Sequence, residues 1–154
     1  MANLHSVTSA TQASPTAAFD AIELTEPGTG LVLVRRVFMW QTTDLGDAAE
    51  EVLRVEWIRG HATSGSGGQT TVITPLHSLD GAATFTAELL NTTIASTGTP
   101  LSINVQGWNI RMPLDIIYPP GEYVTARNGE RLVLRVSAPT DAITVGVSCI
   151  VEQV

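Results

Sequence analysis

From Ala18 onward, apolar and polar residues alternate with a period of two, and the runs are bounded by Gly, Pro, Asn and Asp. That pattern belongs to β-strands with one face in a core and the other in water or at an interface. It predicts strands near residues 18–25, 30–42, 51–60, 82–92, 102–110, 114–118, 130–137 and 142–152. The alternation is cleanest where Leu53, Val55 and Trp57 oppose Arg54 and Glu56, and where Ile143, Val145, Val147, Cys149 and Val151 oppose Thr144, Gly146 and Ser148. Turns are supplied by Glu26-Pro27-Gly28, Leu79-Asp80-Gly81, Pro119-Pro120-Gly121 and Asn128-Gly129, because Gly and Asn accept the positive φ of tight turns. About eight antiparallel strands joined in this way predict an all-β, two-sheet sandwich of jelly-roll type, with an immunoglobulin-like sandwich as the alternative. The sandwich is assigned to residues 18–154. Residues 1–17, rich in Ser, Thr and Ala with little periodicity, are assigned to an extended N-terminal arm that a neighbouring subunit would order.

One strand breaks the rule. In Leu31–Trp40 both faces are apolar apart from Arg35 and Arg36. Such a strand is either central, with a bulge at the arginines, or presents its second face to another chain.

Composition narrows the function. The chain has 154 residues, 44% of them hydrophobic and only 15% charged, with a net charge of −7 and no lysine. Low charge density suits a surface partly reserved for subunit contacts. An acidic chain whose eight cations are all arginine lacks the basic footprint of a nucleic-acid binder, so direct nucleic-acid binding is not expected. Cys149 is alone, which leaves no internal disulfide and no thiolate zinc cluster. No apolar run approaches the roughly 18 residues of a membrane helix. The first residues also lack the basic and apolar regions of a signal peptide, so synthesis in the cytoplasm and no membrane contact are expected.

Motifs that could carry chemistry resolve into structural readings. Asp44, Asp47, Glu50 and Glu51 lack EF-hand spacing and read as a solvated loop with one helical turn, from Asp47 to Val52. Gly60–Gly68 resembles a phosphate cradle, but Gln69-Thr70-Thr71 follow it and the chain has no lysine, so it reads as a flexible loop at the sandwich end. His5, His61 and His77 show no ligand spacing, and a zinc site built from His61, His77 and Asp44 stays a minor alternative. Cys149 reads as core, as does Trp57. Trp108 shares its face with Asn104, Gln106 and Ile110, a mixed surface, and near Arg111 it is a contact candidate because Trp and Arg are enriched at hot spots.

Several stretches carry a resemblance. Arg35 and Arg36, Gln41–Asp44, Gly46–Ala48, Glu50 and Leu53–Val55 form one block. Arg59–His61 with Ser64–Gly68, and later Gly129–Leu132, continue it. Together, over about a third of the chain, they resemble small proteins encoded in tailed-phage genomes and prophages. The resemblance implies a capsid decoration, or cement, protein of jelly-roll type that binds and stabilises the shell. Its implied partners are the major capsid protein and sister subunits, commonly in a homotrimer on the virion exterior. It implies no catalysis and no cofactor. The subunit-contact candidates are then Leu4, His5 and Val7 in the arm, and Arg36, Trp40, Trp108 and Arg111 in the sandwich. Two other classes stay open. One is a carbohydrate- or receptor-binding module of a tail or head fibre, which would use Trp108, Tyr118 and Tyr123. The other is a cupin-type enzyme, which would need a metal among the histidines and acids.

Overall fold

A computed structural model describes residues 3–43 and 51–154, and every regular element in it is a strand. In chain order these are β1 (Asn3–Thr8), β2 (Gln12–Ala13), β3 (Phe19–Thr25), β4 (Leu31–Gln41), β5 (Val52–Arg59), β6 (Gln69–Thr70) and β7 (Ile73–Pro75). They continue as β8 (Thr86–Asn91), β9 (Leu101–Asn109), β10 (Leu114–Ile117), β11 (Val124–Arg127), β12 (Arg131–Val136) and β13 (Thr144–Gln153). There are therefore thirteen described strands where the sequence pattern predicts about eight. All eight predicted strands are present, as β3, β4, β5, β8, β9, β10, β12 and β13.

The pairing is nested. β1 runs antiparallel to β13, β3 to β12, β4 to β10 and β11 together, and β5 to β9. One long antiparallel ribbon, four strand pairs deep, is thus rolled up so that β4 also meets β13 and β5 also meets β12. The result is a seven-stranded sheet, β10-β4-β13-β1-β7 with β11 and β2 alongside, and a six-stranded sheet, β6-β8-β3-β12-β5-β9. This is the jelly-roll winding, two four-stranded layers from eight strand positions. The short strands β2, β6 and β7 and the inserted β8 extend it. Residues 3–8, assigned from sequence to an arm outside the sandwich, run extended as β1, the first strand of the roll. Its outward Ser6 and Thr8 disguise it, because only Val7 among its inward positions is aliphatic.

The two inner faces meet in one core. Val32, Val34, Val37, Met39, Val145, Val147, Cys149 and Val151 come from the seven-stranded sheet. Ile22, Leu24, Leu53, Val55, Trp57, Leu132 and Leu134 come from the other. Burial at roughly 1.5–3 kcal/mol per large aliphatic side chain drives the packing. The Trp57 indole N–H donates to the Tyr118 hydroxyl at 2.7 Å, which satisfies the main polar group that these rings bring inside. Two predicted turns take the expected forms. Asn128 and Gly129 both have positive φ between Arg127 and Glu130, whose N–H donates to the Arg127 carbonyl, a type I′ geometry. Gly121 takes φ +93° after Pro120, closing a type II turn from Pro119 to Glu122.

Candidate functional site

The outer face of the seven-stranded sheet is the surface that the fold leaves apolar. β4 is central in that sheet, and its inner residues Val32, Val34, Val37 and Met39 are buried. The register shifts at Ile150/Val151, which leaves Arg35 as an extra residue between the pairs Val34↔Val151 and Arg36↔Ile150. This bulge turns both arginines to the outer face, so the strand is central and bulged at the arginines, as the first of the two sequence readings has it. Beyond it, Phe38 and Trp40 point outward over Ser148 and Gly146, their cross-strand partners. The two rings lie 5.5 Å apart at 33°. With Ile110, Met112 and Pro113 they line a groove of about 680 Å³, rimmed by Thr8, Gln41, Arg111 and Ser148.

Charge borders this apolar floor in fixed positions. Arg36 donates from Nε to Asp115 Oδ1 at 2.8 Å and from Nη2 to Oδ2 at 2.6 Å, a two-pronged pair across β4 and β10. The guanidinium holds the Asp115 carboxyl below its ordinary range, and the carboxylate raises Arg36 in return. Both groups stay in solvent, so the pair orients more than it stabilises. Arg35 pairs with Glu152 and lies 4.1 Å above the Tyr123 ring. Ile117, exposed beside Arg36 in the β10 ladder, extends the apolar surface past the ion pair.

The outer face of the six-stranded sheet is built differently. Here residues 60–68 and 91–99 fold over the sheet and bond to one another. Thr63 and Ser96 exchange backbone hydrogen bonds, as do Ser66 and Thr93. Two carboxylates on β3 hold them. Glu23 accepts from Ser64 Oγ, the Gly65 N–H, Asn91 Nδ2 and Arg131 Nε. Asp20 accepts from Arg135 Nε at 2.7 Å and from the Ala95 N–H at 2.6 Å. Burial pushes the Asp20 carboxyl above its ordinary value, and Arg135 and the Ala95 N–H oppose the shift. The glycine-rich stretch is therefore a pinned cover and not a free loop. Glycine is required at Gly65 and Gly68, where a Cβ would run into Asn91 and neighbouring carbonyls. His61 is buried under this cover, and burial together with the Arg135 charge lowers its pKa.

The sequence-predicted contact residues separate into two groups. Arg36 and Trp40 lie together on the outer face of β4, and Arg111 reaches the same groove, its backbone N–H held by Asn109 Oδ1. Leu4 is half-buried in β1, its backbone fixed by Asp80 and Leu76. His5 and Val7 face the interior, with His5 Nε2 3.1 Å from the Gly81 carbonyl and its ring edge-on to Phe85. Trp108 is 1% exposed and donates to the Met112 carbonyl at 2.8 Å. His5, Val7 and Trp108 are thus engaged within their own chain. Asn104 and Gln106 mislead the reading of Trp108. They share its face, but Asn104 is exposed and Gln106 half-buried, whereas Trp108 is closed in where the chain turns back at Met112. Residues the sequence reading passed over, Phe38, Met112 and Pro113, complete the groove; Phe38 was visible in the two-sided pattern of β4.

Other predicted sites disperse. Tyr118 is buried against Trp57, and Tyr123 lies under Arg35, so no platform forms from Trp108, Tyr118 and Tyr123. Asp44, Asp47 and Glu50, and with them most of the predicted helical turn and the third ligand of the zinc alternative, lie outside the described residues; Val52, assigned to the end of that turn, begins β5 instead. Among the described residues no three His, Cys, Asp or Glu side chains gather as a metal set. Glu51 accepts from the Thr140 N–H and hydroxyl.

No family model matches the chain, and no curated protein matches it. Among solved structures, a VP2 protein of infectious bursal disease virus, from T=1 particles, aligns over 98% of this chain at 14% identity with a TM-score of 0.22. A chain of the crystallised particle of the same virus aligns over 99% at 13% identity, also with a TM-score of 0.22. This chain spans about two fifths of their lengths, 40% and 39%. The likeness to these viral proteins is weak, and at such scores it carries no argument about function.

Proposed function

We propose that this protein is a capsid decoration subunit of a tailed phage, a binding protein without catalysis that docks on the major capsid protein from the virion exterior. The observation that carries the reading is the outer face of β4. A central strand puts Phe38 and Trp40 on a sheet face that no described part of the chain covers, beside Met112, Pro113 and Ile117 and framed by the Arg36–Asp115 pair. Aromatic anchors in a groove with a polar, geometrically fixed rim form the anatomy of a protein-binding hot spot. The phage-protein resemblance includes Arg35, Arg36 and Gln41, which lie on or beside this surface. Repeated attachment on a symmetric shell turns a modest single contact into firm occupancy.

The test is reconstitution on shells of the phage that encodes the protein, stripped of it, with occupancy measured by electron cryomicroscopy. Wild type is expected to fill symmetric sites with the β4 outer face towards the shell. Trp40→Ala together with Met112→Ser is expected to lower occupancy at least about tenfold while leaving the fold intact, as loss of one hot spot of roughly 2 kcal/mol does. Full occupancy of that variant, or docking through another face, refutes the reading.

A further inference from the structure

The two sheets have four edges, and three of them are blunted. β7 is three residues long and ends in Pro75, β6 has two residues, and the far side of β4 is capped by two four-residue strands separated by Pro119 and Pro120. Short edge strands and proline are the usual defences against pairing with another chain. β9 has neither. It runs nine residues, Leu101–Asn109, pairs with β5 on one side and, among the described residues, has no strand on the other. It holds no charged residue and no proline. Its one irregularity is a bulge that leaves Ile103 between the pairs Trp57↔Asn104 and Ile58↔Ser102. Leu101, Ile103 and Val105 are 54%, 41% and 51% exposed; because of the bulge, Leu101 opposite Arg59 and Val105 opposite Glu56 flank the open ladder on opposite faces of the sheet.

We infer that β9 is a self-association edge: it pairs antiparallel with the β9 of a second copy across a two-fold axis, joining two six-stranded sheets into one of twelve. Unpaired backbone N–H and C=O groups along an edge are satisfied by another extended strand, so the occupant's chemistry is set. Two features select a second copy. First, charge: the chain carries −7 overall, yet none of it lies on this edge, so two copies meet without carboxylate against carboxylate. On the neighbouring strand, Arg54 is paired with Glu56, which also accepts from Ser102 of β9, so the nearest charges are already neutralised within each copy. Second, among the described sheet edges β9 alone is long enough to serve as its partner, and antiparallel pairing of a strand with itself is isologous and closes after two copies. This surface is on the sheet opposite the proposed capsid-binding face, so the inference stands or falls separately from that function. A two-fold dimer also differs from the trimer that the phage resemblance implies.

Sedimentation of the full chain from low to high micromolar concentration tests it, combined with hydrogen exchange at both ends of that range. The expected result is a monomer–dimer equilibrium in which the alternate β9 amides that point away from β5 gain protection as dimer forms. Val105→Lys, at an exposed position that does not disturb the core, is expected to weaken dimerisation by about tenfold or more, since the edge then carries a like charge in each copy. Leu79→Lys, which adds the same charge at an exposed turn, is expected to leave it unchanged. A monomer at every concentration overturns the inference. So does a trimer, or a dimer whose β9 amides stay unprotected or that Val105→Lys leaves intact.

Discussion

The indole of Trp40 lies flat against Gly146, its cross-strand partner in β13; a methyl group on residue 146 would overlap the ring. The glycine leaves the pleat open, and the ring fills it, so the missing side chain of one strand becomes the seat of an aromatic on the next. Trp40 is thereby held half in the sheet surface, with its outer edge forming the floor of the groove beside Phe38.

Gly146→Ala should consequently displace Trp40. The expected cost is about 1–3 kcal/mol, the usual range for an overpacked site, measured by denaturant unfolding. Trp40 emission should shift red as the ring leaves its seat. An unchanged spectrum and midpoint would mean that the indole finds another resting place at no cost.

The Asp20–Arg135 pair offers a sharper contrast. Arg135→Ala leaves a carboxylate with no exposed side-chain surface facing one N–H alone, and breaking a buried pair from one side costs about 3–5 kcal/mol. Asp20→Ala combined with Arg135→Ala should cost clearly less than the two single changes added, because no charge is left stranded. Strict additivity in a double-mutant cycle would show that the two groups act independently.

His61 predicts a pH dependence with a definite sign. Its folded pKa lies below the ordinary 6.5, so below pH 6.5 the unfolded chain binds a proton that the folded chain refuses. The neutral ring's contribution is complete above that pH and is lost as pH falls towards the lowered value. His61→Gln should flatten the stability curve between pH 7 and pH 5, read from thermal midpoints across that interval. Parallel curves for the two proteins would remove His61 as the cause.

Cys149 faces the core with no exposure, and burial pushes its thiol well above the ordinary range. A neutral, enclosed thiol is inert. An aromatic disulfide reagent should leave it unmodified in native protein and modify it fully in denaturant. Rapid native reaction would require β13 to open.

Much of this was legible from the chain. The alternation of β5 and β13 fixes which residues are core, and the glycine and asparagine turns close as their φ requirements predict. The arginine pair in β4 marked both the bulge and the open face. The rest lay beyond local pattern. β1 shows a single aliphatic inward residue, so its place depends on β13 nearly a chain length away. The Gly60–Gly68 cover reads as loose until Glu23 and Arg131 are seen beneath it, and those residues come from two other strands. Trp108 is buried because Met112 and its neighbours fold back over it, a tertiary fact that its own strand does not encode.

The nested pairing has a consequence in time. Asn3 lies opposite Gln153, Thr25 opposite Arg131, and Arg59 opposite Leu101. Contacts this distant in sequence make folding slow, because each wider loop must be closed before its ladder repays the lost entropy. On the ribosome the innermost pair, β5 with β9, is available long before the outermost. β1, made long before β13, is among the last to find its partner, and until β13 is released its place beside Val147, Cys149 and Val151 does not exist. Completion of the seven-stranded sheet is therefore timed by β13, and any partner that needs the finished sheet must wait for that strand.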